Sequence, residues 1–229
     1  MTRPPAAVVV LAKAPEPGRV KTRLCPPATP EQAAELAAAA LLDTLDAAAA
    51  VPGAASVVVL TGRMLRAARA TELAAALQRT HVLPQRGDGL GRRICAAHAD
   101  TAALLPGRPT LQLGMDTPQA GAALLAECLE RLHAPGIDAV LGPATDGGWW
   151  GLGLRDPRAA ALVADVPTSR DDTGARTVAA LRDGGLRVGL LPELTDVDTA
   201  ADAVAVAATA PAGRFAAATA RCRAFGAVV

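Results

Sequence analysis

Hydrophobic residues in this chain occur in short runs separated by longer, alanine-rich stretches. Each run is rich in valine and leucine and is bounded by glycine, proline or polar residues, which predicts a β-strand. The predicted strands are residues 6–12, 56–60, 81–83, 110–113, 138–141, 149–154 and 187–191. Residues 6–12 are apolar throughout, as is typical of a central parallel strand buried on both faces.

The stretches between these runs predict helices. Thr29 followed by Pro30 is typical of an N-cap with proline at the first helical position. Thr199, with Asp202 three residues later, predicts a capping-box analogue. The predicted helices are residues 30–50, an arginine- and alanine-rich one ending near 78, and 90–104, 120–132, 172–181 and 199–208. Strands alternating with helices predict an α/β fold with a mostly parallel sheet, in one domain spanning residues 1–229 with a poorly defined tail at 211–229.

The composition limits the classes of function. The chain has 229 residues and a net charge of +1, so no general attraction to nucleic acid or membrane is expected, and local clusters must provide any anion binding. No charge-free apolar run approaches the roughly 18–20 residues of a membrane span, and no signal peptide is recognisable. Four cysteines (Cys25, Cys95, Cys128 and Cys222) form no C-x-x-C pair, which favours reduced thiols in a cytoplasmic protein.

A cationic loop follows the first predicted strand. Lys13, Arg19, Lys21 and Arg23 surround Gly18, and this group defines the basic loop (residues 13–23). A glycine lets backbone N–H groups approach a phosphate, and cations neutralise the phosphate charge. The spacing is neither that of a Walker loop nor that of a Rossmann dinucleotide loop. The loop therefore indicates a polyphosphate site, with a solvated basic loop as the alternative.

Three carboxylates occupy positions that could face this loop. Asp116 follows the strand 110–113, where open α/β sheets bind ligands, although a turn or a helix cap would also explain it. Asp196 and Asp198 alternate along an extended segment, so both side chains can face one side. Carboxylates opposite a phosphate loop suit Mg²⁺, which binds a few carboxylates together with substrate phosphates.

Two glycine-containing loops are further candidates. In residues 145–151, Gly147 and Gly148 leave room for a ligand. Trp149 and Trp150 should point to opposite faces of a strand, so at most one is expected to line a site.

In residues 85–93, Arg86, Arg92 and Arg93 could meet a nucleotide, although a single glycine-rich loop is a weak signal. The three histidines have no matched serine or cysteine, which gives no support for a hydrolase triad.

Five motifs in one order resemble a known family. They are Lys-Ala-Pro-x-Pro-Gly-x-x-Lys-Thr-Arg-Leu, Gln-x-Gly-x-x-Leu-Gly-x-Arg, Gly-x-Asp-x-Pro, Gly-Pro-x-x-Asp-Gly-Gly and Asp-Val-Asp-Thr. This order resembles the radical-SAM/selenodomain-associated, or arsenosugar-biosynthesis-type, transferases of the GT-A nucleotide-diphospho-sugar transferase superfamily. It is also similar to 2-phospholactate guanylyltransferase and the molybdenum-cofactor nucleotidyltransferases. The chain departs from many relatives at Met115 and Thr117 and in the Trp149-Trp150 pair.

The resemblance implies a three-layer GT-A fold with a seven-stranded mixed sheet, and a role for each motif. It implies Mg²⁺ or Mn²⁺ as cofactor, bound by Asp116, Asp196 and Asp198. The implied catalytic residues are Lys21, Arg23 and Asp116. The implied donor or phosphate contacts are Lys13, Gly18, Arg19, Lys21, Arg23, Arg86, Gly87 and Gly91. The implied acceptor contacts are Thr145, Asp146, Gly147, Gly148 and Trp149.

Two reactions remain open for such a protein. One is nucleotidyl transfer from a nucleoside triphosphate to a small anionic acceptor with release of pyrophosphate, which the four cations of the basic loop favour. The other is glycosyl transfer from a nucleotide-sugar, which the resemblance favours. A non-catalytic nucleotide-binding protein is a third hypothesis, and three retained carboxylates argue against it. Homodimer formation is also left open.

Overall fold

The computed structural model describes residues 5–225, and in this part of the chain seven strands form one mixed sheet. The strands are β1 (Ala6–Lys13), β2 (Ala54–Thr61), β3 (His81–Pro84), β4 (Thr110–Leu113), β5 (Ala139–Pro143), β6 (Trp149–Leu154) and β7 (Val188–Leu190). Their order across the sheet is β3-β2-β1-β4-β6-β5-β7. β6 is antiparallel to β4 and β5, and the other pairs are parallel. The α/β class and the mostly parallel mixed sheet are confirmed.

Helices cover both faces of the sheet. They are α1 (Pro30–Ala49), α2 (Ala70–Leu77), α3 (Leu90–Leu104), α4 (Ala122–His133), α5 (Thr173–Asp183), α6 (Ala200–Thr209) and α7 (Arg214–Arg221). Short 3-10 helices occur at Thr22–Leu24, Met64–Arg66, Pro157–Val163 and Arg223–Phe225. The predicted caps are confirmed: Thr29 and Gln32 form a capping box on α1, and Thr199 and Asp202 form one on α6. The helix predicted to end near residue 78 is instead a 3-10 turn followed by the shorter α2.

Successive side chains of the central strands point to opposite faces of the sheet, so that one sheet packs against two layers of helices. Val8 and Val10 of β1 pack in the cluster that includes residues of α1 and α4, whereas Val9 packs with Ala97 of α3 on the other face. All three valines are fully buried. β1 is therefore the doubly covered central strand that its apolar sequence predicts.

The expectation of a poorly defined tail after Pro211 is wrong for the described residues. α7 and the turn after it pack on α1 and α6, and Phe215 and Phe225 are buried there. The Asp43 carboxylate accepts hydrogen bonds from the backbone N–H groups of Arg214 and Phe215, which fixes the start of α7. Residues 226–229 lie outside the described part.

The carboxyl edge of the parallel strands gathers the loops that matter for function. The loops after β1, β4 and β7 meet there, together with the connection between β5 and β6. A β-bulge at Gly142/Pro143, opposite Trp149, bends this connection toward the edge. All four cysteines are free. In the described residues, no helix has the length and apolar character to cross a membrane.

Candidate active site

A cleft of about 670 Å³ opens at the carboxyl edge of the sheet. It receives residues from the basic loop, from the end of β4, from the β5–β6 connection and from the segment after β7. The predicted site residues that line it are Lys13, Arg19, Lys21, Arg23, Asp116, Asp146, Gly148, Trp149, Asp196 and Asp198. The structure therefore brings together side chains that are up to 185 residues apart in the chain, between Lys13 and Asp198.

Backbone and carboxylate contacts hold the basic loop in place. Glu16 is 4% exposed and accepts hydrogen bonds from the backbone N–H and the Nε of Arg63, both at 3.0 Å. The Ala68 N–H donates to the carbonyl of Pro15 at 3.0 Å. Gly18 has φ +72°, in the region that favours glycine, and does not line the cleft. The loop is thus anchored to the segment after β2, and its cations project from a fixed backbone.

Lys21 and Arg23 contact the carboxylates opposite them. Lys21 Nζ donates to Asp116 Oδ2 at 2.9 Å and to Asp198 Oδ1 at 3.2 Å, and Arg23 Nη1 donates to Asp198 Oδ2 at 2.8 Å. Burial disfavours the charged form of Lys21, but Asp116 and Asp198 outweigh it, so the pKa of the ammonium is raised.

The other two cations of the basic loop make no ion pair within the described residues. Lys13 Nζ donates to the Arg19 carbonyl at 2.7 Å, and the guanidinium of Arg19 has no partner there. The basic loop therefore uses two cations to hold the carboxylates and leaves two available for a ligand.

Backbone geometry places the three predicted carboxylates together. The N–H of Val197 donates to the Asp116 carbonyl at 3.1 Å, which ties the segment after β7 to the end of β4. Val197 is buried, whereas Asp196 and Asp198 on either side of it line the cleft, so the predicted alternation is confirmed. A Cβ at Gly114 would come within 2.5 Å of Asp116 Oδ1, so a larger residue there would displace this carboxylate.

Asp196 occupies an unfavourable position for a charged group. Its Oδ1 is buried and has no hydrogen-bond partner among the described residues. Burial, followed by the charges of Asp116, Asp146 and Asp198, raises the pKa of Asp196 to about 8 against the opposing effect of Lys21. A buried carboxylate surrounded by like charges is a group that an additional cation would stabilise.

Four aspartates of the cleft form the donor set available to a divalent cation. No group of three or more His, Cys, Asp or Glu side chains in the described residues is arranged so that it could hold a metal ion as it stands. The ammonium of Lys21 lies between Asp116 and Asp198 instead. When Asp116, Asp146, Asp196 and Asp198 are all ionised, the two cations that touch them leave two negative charges uncompensated. The unpaired Asp196 oxygen and the all-oxygen chemistry therefore fit Mg²⁺ or Mn²⁺ in charge and ligand type.

The Asp-Gly-Gly loop (residues 145–148) contributes Asp146 and Gly148 to the cleft. Asp146 Oδ1 accepts a hydrogen bond from the N–H of Gly148 at 2.8 Å, which shapes the turn. Gly147 has φ +84°, and a Cβ there would overlap the carbonyl of Asp171. Gly147 therefore lets this loop pack against the start of α5, but it does not line the cleft. Thr145 does not line it either, and its hydroxyl contacts that of Thr195 at 3.2 Å.

The two tryptophans occupy opposite sides of the sheet, as predicted. Trp149 packs in the cluster with Ile94 of α3, and Trp150 packs in the cluster with Leu111 and Leu113. Both nevertheless line part of the cleft, beside the bulge at Gly142/Pro143. The expectation that at most one would do so is therefore wrong.

Besides Gly18, three predicted donor contacts lie outside the cleft. Arg86 forms an ion pair with Asp100, Gly87 packs against the backbone of Arg92, and Gly91 packs against the carbonyl of Ala164. These glycines serve close packing around the start of α3. Gln85 and Arg93, from the same motif, do line the cleft.

Sequence reasoning missed several lining residues. Thr168, Ser169, Arg170 and Asp171 precede α5 and line the cleft, and Ser169 has φ +61°, an uncommon conformation for a residue other than glycine. A run of polar residues before a helix is too ordinary a pattern to reveal them. Gln112, in the middle of β4, also lines the cleft, and its signal was visible as one polar residue between two buried leucines.

Comparison with known proteins gives a family and a fold. The family model described as "Uncharacterized protein conserved in bacteria (DUF2064)" matches residues 44–170. No curated protein matches the sequence significantly. A candidate nucleotide-diphospho-sugar transferase from Desulfovibrio desulfuricans G20 is 29% identical, with a TM-score of 0.73 over 85% of this chain and 83% of that one.

Two more distant structures share the fold. CMP:2-keto-3-deoxy-manno-octonic acid synthetase in complex with CTP is 13% identical, with a TM-score of 0.56 over 91% of this chain and 99% of that one. The 4-diphosphocytidyl-2C-methyl-D-erythritol synthase from Anaerococcus prevotii DSM 20548 is 11% identical, with a TM-score of 0.55 over 90% and 99%. The chain therefore has a GT-A-like nucleotidyltransferase fold.

Proposed function

The chain belongs to the DUF2064 family of uncharacterized proteins conserved in bacteria, and we propose that it is a metal-dependent transferase with a nucleoside triphosphate as donor. One observation carries this proposal. The four cations of the basic loop line the same cleft as Asp116, Asp146, Asp196 and Asp198. A site that combines cations for phosphates with oxygen ligands for a divalent ion is suited to a metal–nucleotide complex.

The favoured reaction is nucleotidyl transfer. An acceptor oxygen attacks the α-phosphorus, the bond from this phosphorus to the bridging oxygen breaks, and pyrophosphate leaves. A carboxylate or phosphate acceptor is already ionised at neutral pH and needs no general base. Lys13, Arg19, Lys21 and Arg23 would stabilise the negative charge that develops along the phosphate chain. Mg²⁺ or Mn²⁺ bound by Asp116, Asp196 and Asp198 would supply Lewis-acid charge at the reacting phosphate.

The ion pairs of the basic loop define what donor binding must change. Lys21 is held by Asp116 and Asp198, so it can bind a phosphate only if those contacts weaken. Arg19 has no such contact within the described residues and can accept a phosphate at once. We infer that phosphate first meets Arg19 and Lys13 at the rim and that Lys21 then exchanges its carboxylates for phosphate oxygens.

The acceptor would occupy the part of the cleft formed by the Asp-Gly-Gly loop and Trp149. Arg170 lines the cleft and is 57% exposed, with its Nε 3.4 Å from an oxygen of Asp172. This loosely paired cation suits an anionic acceptor such as a small acid or a phosphorylated acid. The sequence resemblance to 2-phospholactate guanylyltransferase agrees with that chemical class.

Glycosyl transfer from a nucleotide-sugar is the second candidate. The 29% identical structure from Desulfovibrio desulfuricans, described as a candidate nucleotide-diphospho-sugar transferase, favours it. A diphosphate carries less charge than a triphosphate, and one metal ion with one or two cations would neutralise it. Once Lys21 and Arg23 exchange their carboxylates for phosphate oxygens, four cations face the donor, which exceeds that need, and the triphosphate is therefore preferred.

A thermal-shift comparison tests this choice. With Mg²⁺ and equal ligand concentrations, nucleoside triphosphates should raise the melting temperature more than nucleotide-sugars, because stabilisation follows affinity for the native state. Pyrophosphate release should then follow when small anionic acceptors are supplied. Stabilisation by a nucleotide-sugar, with none by any triphosphate, would instead establish the glycosyl donor.

A further inference from the structure

Gln112 is a buried amide without a partner on the floor of the cleft. It lies in β4, is 3% exposed and lines the cleft. Its Oε1 is buried without a hydrogen-bond partner, and no residue in the described part of the chain bonds its Nε2. Buried side-chain amides are normally satisfied, so this one is an exception that requires a reason.

The surroundings of Gln112 within the sheet provide no partner. Its neighbours in register are Val9 on β1 and Leu152 on β6, and both are fully buried and apolar. Thr110, on the same face of β4, is already paired with Nδ1 of His98 at 2.7 Å. The sheet therefore leaves the carboxamide unsatisfied, and the cleft is the open space that it faces.

The distribution of charge in the cleft indicates what kind of group Gln112 meets. The cations of the basic loop and the aspartates come from loops at the rim, where phosphates would bind. Leu11 and Ile94 line the cleft and provide apolar surface. In either orientation of its amide, Gln112 offers one acceptor and one pair of donors, so it matches a neutral group that both donates and accepts. Base edges and sugar hydroxyls both have this property, but a base packed on Leu11 and Ile94, with the phosphates at the rim, leaves a sugar hydroxyl as the group that faces Gln112.

We propose that Gln112 is a specificity residue that hydrogen-bonds a ribose hydroxyl of the nucleotide donor. This inference rests on the proposed function, because it assumes a nucleotide in the cleft. Gln112 acts on binding and on the choice between ribose and deoxyribose, and it takes no part in bond making or breaking.

The test uses Gln112→Met, which keeps the unbranched shape and removes the hydrogen-bonding groups. Binding of ATP, GTP, CTP and UTP with Mg²⁺ is measured for both proteins, together with the 2′-deoxy and 3′-deoxy forms of the tightest binder. Wild type should bind one deoxy form about tenfold more weakly than the ribonucleotide, and Q112M should bind the ribonucleotide about tenfold more weakly than wild type does. Q112M should bind the ribonucleotide and that deoxy form equally.

Thermal stability separates this role from a structural one. Q112M should melt at the wild-type temperature or above it, because an unsatisfied buried amide is removed. Thr110→Val is the matched control on the same face: it deprives His98 of its partner, so it should lower the melting temperature and leave nucleotide affinity within twofold.

Other results would count against the inference. Unchanged nucleotide affinity in Q112M, or equal losses for the ribonucleotide and both deoxy forms, would overturn the inference. So would a lower melting temperature of Q112M with no change in ribose preference. Failure of wild type to bind any triphosphate would overturn the proposed function itself, and this inference with it.

Discussion

Lys21 and Arg23 contact the same carboxylate, but their surroundings differ. The Lys21 side chain is 12% exposed and touches Asp116 as well as Asp198, whereas Arg23 is 73% exposed and touches Asp198 alone. An exposed ion pair contributes little to stability, whereas loss of a buried cation leaves its partners uncompensated. Loss of Lys21 should therefore lower the free energy of unfolding more than loss of Arg23.

Alanine substitutions measure the difference between the two residues. Lys21→Ala should lower the free energy of unfolding by about 1–3 kcal/mol, less than for a fully buried pair because both carboxylates are partly exposed. Arg23→Ala should change it by less than about 0.5 kcal/mol. Both should weaken Mg–triphosphate binding by about 1.5–3 kcal/mol, the value of a charged hydrogen bond. Urea unfolding and titration calorimetry give the two quantities, and unchanged nucleotide affinity in both variants would mean that the loop is structural.

Asp196 gives a prediction for pH dependence in metal-free protein. Its pKa is about 8 in the folded state and 3.8 as the ordinary value, so the folded state binds more protons between these limits. The contribution of Asp196 to stability therefore falls as pH rises from about 4 to 8. Asp196→Asn removes the ionisation, so its melting temperature should exceed that of wild type at pH 8, by at least about 2 °C, and the gain should vanish near pH 4. A difference between the two proteins that does not vary with pH would contradict this account.

At the scale of elements, α7 shows where sequence patterns are insufficient. Its buried positions include Phe215, Ala218 and Thr219, which is an amphipathic spacing, but the helix has only eight residues and follows Pro211 and Gly213, so such a short pattern was not predicted as a helix. The apolar runs of the strands and the threonine caps of α1 and α6 are short-range signals, and they predicted those elements correctly. α7 depends on contacts with Asp43 and Leu36 of α1, which are distant in sequence.

Truncation of Phe215 tests whether α7 is an integral part of the core. This side chain is 3% exposed and packs on α1, so Phe215→Ala should lower the free energy of unfolding by about 3 kcal/mol. Arg221→Ala, at an exposed position of the same helix, is the control and should have little effect. A loss below about 0.5 kcal/mol for Phe215→Ala would show that α7 contributes little to the stability of the fold.

At the scale of the whole molecule, the net charge of +1 conceals a strong local separation of charge. The sequence predicted the basic loop, Asp116 and the Asp196–Asp198 pair as site residues, because each follows a predicted strand. Parallel strands end at one edge of the sheet, where ligands bind. The pairing of Lys21 with two aspartates and the position of Arg86 outside the cleft could not be predicted, since both depend on which side chains meet in the folded protein. Gln112 is a similar case, as only the structure shows that its neighbours leave it unpaired.

This separation of charge predicts that metal and nucleotide bind cooperatively. A triphosphate entering a cleft with four aspartates is repelled unless a divalent cation compensates those charges, and Mg²⁺ alone must compete with Lys21 for Asp116 and Asp198. Each ligand alone should therefore raise the melting temperature slightly, and both together should raise it by more than the sum, which is a coupling free energy between the two sites. Asp116→Asn, which keeps the shape and removes one charge, should abolish the coupling and most of the activity with the fold retained.

The matched control for this coupling is Asp165→Asn. Asp165 is 84% exposed, pairs with Arg92 and does not line the cleft, so its variant should keep the full coupling. If triphosphates stabilise wild type as strongly in a chelator as in Mg²⁺, the cations of the basic loop alone neutralise the nucleotide, and the aspartates are not metal ligands. In that case Arg19→Ala and Lys21→Ala should lower triphosphate affinity to the same extent with Mg²⁺ and without it.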